Sequence, residues 1–128
     1  MSGWDPAATA LLSALPLTAR GPRREGIFAL WLTVRVAQDL LRDPPPADRT
    51  HRRRLQALEH RLSSLTLPPP LRRALTTALS QLQEARPETA AQVLSQLVAP
   101  AREAGGADAG EALAQAARAA RAAMQAER

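Results

Sequence analysis

The stretch GIFALWLTVRVAQDLL, Gly26 to Leu41, decides the fold. At about 100° per residue, its apolar side chains, from Ile27, Phe28 and Leu30 through Trp31, Leu32, Val34 and Val36, leave a helix almost no polar face before Arg35, Gln38 and Asp39. A helix of that kind has to be surrounded, either by the rest of the chain or by a second chain. It also carries Phe28 and Trp31, two of the three aromatic rings in the chain, the third being Trp4.

The remaining composition supports helices around it. Of the 128 residues, 45% are hydrophobic but 2% aromatic, with no Tyr, so the core has to be built from Leu, Ala and Val around Trp31 and Phe28. The residue types that suit a pleated sheet are scarce, while Ala, Leu, Arg, Gln and Glu are abundant. An all-α fold follows: a small bundle of about five helices joined by Pro- and Gly-marked turns. The length allows one hydrophobic core, to which a partner subunit can contribute burial.

Proline and glycine place the joints. Asp5 and Pro6 suit the start of a short helix to Leu15, and Pro22 introduces the long helix, expected to run to Asp43 and to stop at Pro44, Pro45 and Pro46. Asp48 or Thr50 is the expected cap of the next helix, whose Leu55, Leu58, Leu62 and Leu65 share a stripe. Pro68 to Pro70 separate it from a helix striped by Leu71, Ala74, Leu75, Ala78, Leu79 and Leu82. Pro87 opens another, closed or kinked by Pro100. AGGADAG, from Ala104, reads as the most flexible stretch, with Asp108 and Glu111 spaced as a capping box for a final Ala-rich helix. Residues 1–104 are thus expected to form the bundle domain and 105–128 a C-terminal helix, docked or partly frayed. Echoes of Leu-Ser-x-Leu recur without a fixed period, which argues against a solenoid.

All 17 basic residues are Arg, a bias that coding composition explains more readily than a need for guanidinium groups. Residues 20–61 hold ten Arg against five acids, most of the net charge of +5. On a helix, Arg49, Arg52 and Arg53 gather with Gln56 and His60 opposite the Leu stripe, and Arg20, Arg23 and Arg24 extend that patch if their loop folds nearby. Such a row suits phosphates, so nucleic acid or another polyanion is an alternative partner; an ordinary solvated face is the plainer reading, because no aromatic side chains interleave to stack on bases. Arg72 and Arg73 at a helix start are a weaker anion-binding candidate.

Catalysis finds little support. Cys and Lys are absent, no Gly-rich phosphate loop or nucleophile elbow is present, and the carboxylates are scattered, so neither an enzyme, a cofactor nor a small-molecule substrate is expected. His51 and His60 fall about 180° apart on one helix and cannot share a metal ion within one chain; His51 reads as a partly buried side chain at the helix start. Arg35 interrupts the apolar run and, if buried, needs Asp39 one turn on, or serves as an interface charge.

The apolar run is too short to span a bilayer, and the first residues lack the basic start of a secretory signal, so a cytoplasmic protein is the expectation. The function that remains is non-enzymatic assembly, as a homo-oligomeric scaffold or an adaptor for a protein partner. Ile27, Phe28, Trp31, Val34, Arg35 and Leu41 are the candidate partner-binding residues, led by Trp31 because large aromatics dominate binding hot spots.

Overall fold

The apolar run forms the first helix of the computed structural model, which describes residues 22–42 and 46–126. Helices α1 (Pro22–Asp39), α2 (Asp48–Ser63), α3 (Pro69–Leu82), α4 (Pro87–Gln96) and α5 (Val98–Ala126) make an all-α bundle, with no strand among the described residues. The expected helix from Pro6 to Leu15, together with Trp4 and Arg20, lies outside the described residues.

Helix α1 is the axis of the bundle: each of the other four helices packs against it. Ile27, Ala29, Leu30 and Ala37 are fully enclosed, and Val34 and Leu40 nearly so. Thr33 is enclosed too, its hydroxyl donating to the Ala29 carbonyl at 2.8 Å, which removes the cost of burying an unpaired polar group. The helix stops at Asp39 rather than at Asp43. Leu40, Leu41 and Arg42 continue it with tighter bonds to carbonyls three residues back, as at many helix ends approaching a proline.

Each surrounding helix contributes one stripe. His51, Leu55, Leu58 and Leu62 come from α2, and Leu71, Leu75, Ala78 and Leu82 from α3. Ala90, Val93 and Leu94 come from α4. Prolines start helices here more than they stop them. Pro69 and Pro70 occupy the first turn of α3, and Pro100 lies in the first turn of α5 instead of closing α4, because first-turn N–H groups have no intrahelical partner to lose. Ala47, which has no capping side chain, precedes α2, so Asp48 sits inside the first turn, where its charge suits the helix dipole.

His51 is 1% exposed and fixes α2 to the end of α3, its Nε2–H donating to the Leu82 carbonyl at 2.7 Å. Its Nδ1 is buried without a hydrogen-bond partner, so the contact combines a gain with a desolvation cost. His51→Leu is expected to lower unfolding free energy by about 1–2 kcal/mol, because the Leu82 carbonyl loses its donor. Urea denaturation checks this, and a gain in stability would mean that the orphaned Nδ1 outweighs the bond.

The glycine-rich stretch is a corner, not a loop. Helix α5 has two arms meeting at Gly106, whose φ of 86° and ψ of −171° fall in a region that side chains other than glycine's hardly reach. The bend brings Gly110 beside Arg102, and a Cβ on Gly110 would meet the Arg102 Cα at 3.4 Å. With Gly106 outside helical geometry, Asp108 lies within the second arm instead of capping it, and Glu111 pairs with Arg118 at 3.0 Å. That arm buries Ala109, Ala112, Leu113, Ala116, Ala117 and Ala120 in the same core as the other helices. Short side chains let it approach closely.

Candidate functional site

Among the described residues, one strip of α1 escapes enclosure. Successive residues 28, 31, 32, 35 and 39 fall on a single side of the helix at its 3.6-residue period. There Phe28, Trp31, Leu32 and Asp39 are half-buried, and Arg35 is exposed. Helix α2 runs antiparallel beside it: Arg61 lies by Phe28, and Arg54 by Asp39. Between the two helices is a groove of about 490 Å³ with an apolar floor that includes Trp31, Leu32, Val36 and Leu58.

Arginines flank that floor. The Arg61 guanidinium carbon lies 5.4 Å from the centre of the Phe28 ring, and that of Arg35 lies 5.2 Å from the Trp31 ring. Both distances are within the range of cation–π attraction. The two rings stack on each other at 6.0 Å. At the far end, Asp39 pairs with Arg54 at 3.0 Å and Arg42 at 3.2 Å. Arg35 therefore does not pair with Asp39 as the one-turn spacing suggested; it is exposed, and the ring of Trp31 takes the place of a carboxylate.

The structure divides the candidate partner-binding residues. Phe28, Trp31 and Arg35 line the groove. Ile27 and Val34 lie inside the chain's own core, and Leu41 packs half-buried against it beyond the end of α1. Sequence periodicity missed Arg54 and Arg61. Their spacing of seven residues on the flank of the α2 Leu stripe was the available signal, masked by the greater density of Arg49, Arg52 and Arg53.

Those three arginines are all exposed on α2, and none has a carboxylate partner among the described residues. Arg24 does not join them. Glu25, its neighbour, accepts a hydrogen bond from the backbone N–H of Thr66 at 3.0 Å, which places Arg24 by the far end of α2, roughly 20 Å from Arg49 at 1.5 Å per helical residue. The side chain of Arg23, like Arg20, lies outside the described residues. Arg72 is committed elsewhere, its guanidinium donating to the Leu65 carbonyl at 2.6 Å. The exposed Arg86 donates to Glu84 at 3.0 Å, and this hydrogen bond raises a pKa already far above physiological pH.

Among the described residues, no three His, Asp or Glu side chains group as a metal site, and no helix is long and apolar enough to cross a membrane. Comparison with protein-family models, curated proteins and solved structures finds no match to this chain. Fold and site together describe a small all-α bundle with an open, arginine-flanked aromatic groove on its central helix.

Proposed function

We propose that the chain is a cytoplasmic, non-enzymatic interaction protein, a homo-oligomeric scaffold or an adaptor, that engages other chains through the α1–α2 groove. One observation carries this reading: two of the three aromatic residues line the single side of α1 that no helix covers among the described residues. Apolar surface held at the rim of a well-packed core is where a partner gains most from excluding water. A second reading, polyanion binding, draws on the exposure of Arg49, Arg52 and Arg53 without carboxylate partners.

Photo-crosslinking in the cells that make the protein separates the two. A photoreactive residue at Leu32 is expected to give a protein adduct of defined mass, lost when Trp31→Ala is added, while the same group at Arg52 gives none. Nucleic-acid adducts at Arg52 alone would move the site to the outer face of α2. No adduct from Leu32 in folded protein would reject the groove as the site.

A further inference from the structure

We infer that the occupant of the groove is an acidic amphipathic helix of a partner protein. The inference rests on the groove being the interaction site and adds the chemistry of what enters it. Length is the first argument. The strip from Phe28 to Asp39 extends about 16 Å along α1, at 1.5 Å per residue, and so matches about three turns of another helix. Such a helix would lie over α1 and α2 together, with apolar side chains at three- and four-residue spacing reaching Trp31, Leu32 and Leu58. It would cover the strip of α1 where Phe28, Trp31, Leu32 and Arg35 keep exposure among the described residues.

Charge selects the partner. Arg35 and Arg61 face the groove over aromatic rings and have no carboxylate partner among the described residues. The one acid in the groove, Asp39, is shared between Arg42 and Arg54 and leaves the rim with a surplus of guanidinium groups. Carboxylates on both flanks of an incoming helix would meet Arg35 on one side and Arg61 or Arg54 on the other, with the bidentate geometry that guanidinium favours. Of the two forms proposed above, the charge favours the adaptor over the homo-oligomer, because a second copy of this chain carries a net charge of +5. Like charges juxtaposed across an interface oppose association.

The test uses the full chain and three fluorescein-labelled peptides of about four turns, identical at their Leu positions and carrying Glu, Gln or Arg on the flanks. Anisotropy is expected to show the Glu peptide binding about tenfold more tightly than the Gln peptide, with the Arg peptide weakest. Raising salt from about 0.05 to 0.5 M should erase most of the Glu preference, and R35E with R61E should reverse its sign. Equal binding of the Glu and Gln peptides, both lost with Trp31→Ala, would overturn the acidic partner and leave the groove reading intact. Binding of none, either to the natural chain or to a variant with Leu11, Leu12 and Leu15 changed to Glu, or binding indifferent to Trp31→Ala, would overturn both. Two further outcomes would replace the partner: a dimer dissociated by Trp31→Ala in sedimentation, or peptide binding that appears only when Leu11, Leu12 and Leu15 are changed to Glu, which would make residues 1–21 the occupant.

Discussion

Leu30→Ala is expected to remove about 3–5 kcal/mol of unfolding free energy, whereas Trp31→Ala, one residue along, should remove about 1–2 kcal/mol. Leu30 is fully enclosed on the helix that every other helix touches, so truncation leaves a cavity that no neighbour can fill without moving a whole helix. Trp31 is larger but half-buried, and water can occupy part of the space its ring leaves. A domain of this size has about 5–15 kcal/mol in total, so the first change approaches the limit of foldability and the second does not. Urea unfolding with a constant m-value measures both. A Trp31 loss as large as that of Leu30 would make Trp31 a core residue and deprive the groove of its central contact. A Leu30 loss below about 1 kcal/mol would mean that α1 is not the axis of the bundle.

Gly106→Ala is expected to cost about 2–3 kcal/mol. At φ 86° and ψ −171°, an L side chain collides with its own backbone, and the alternative is to straighten α5 and withdraw one arm from the core. Withdrawing the second arm would uncover Leu113 and the buried alanines beside it. D-alanine at position 106, introduced by chemical synthesis, separates strain from crowding, because this backbone geometry is the mirror image of ordinary extended structure. It should restore most of the loss. Gly105→Ala tests the neighbouring constraint, since its Cβ would lie 2.7 Å from the Ala109 Cβ and 3.0 Å from Ile27, and a cost of about 1–3 kcal/mol is expected from that overlap. If Gly106→Ala were neutral by urea unfolding, the corner would not be what holds the Ala-rich arm in place.

The two groups of residues behind these predictions differ in how far sequence reveals them. Leu30 was legible because hydrophobic periodicity is local: a run apolar on nearly every side has to be enclosed, and the Leu stripes of α2 and α3 announce the faces that enclose it. The prolines marked the joints for the same local reason, although they fell in the first turns of α3 and α5 as well as between helices. Gly106 was hidden. Three glycines among alanines look like slack chain until the two arms are seen to fold against each other, when one supplies an unusual dihedral and its neighbours supply room.

By itself, then, the sequence determined the all-α class, the enclosed central helix and the stripes that cover it, because helix propensity and apolar spacing act within a few residues. Tertiary structure alone decided which side of α1 stays open, that Arg35 lies over Trp31 while Asp39 turns to Arg54, and that Arg54 and Arg61 join the site. Those outcomes depend on the angular position at which α2 docks on α1, and that is set by packing between side chains far apart in the chain.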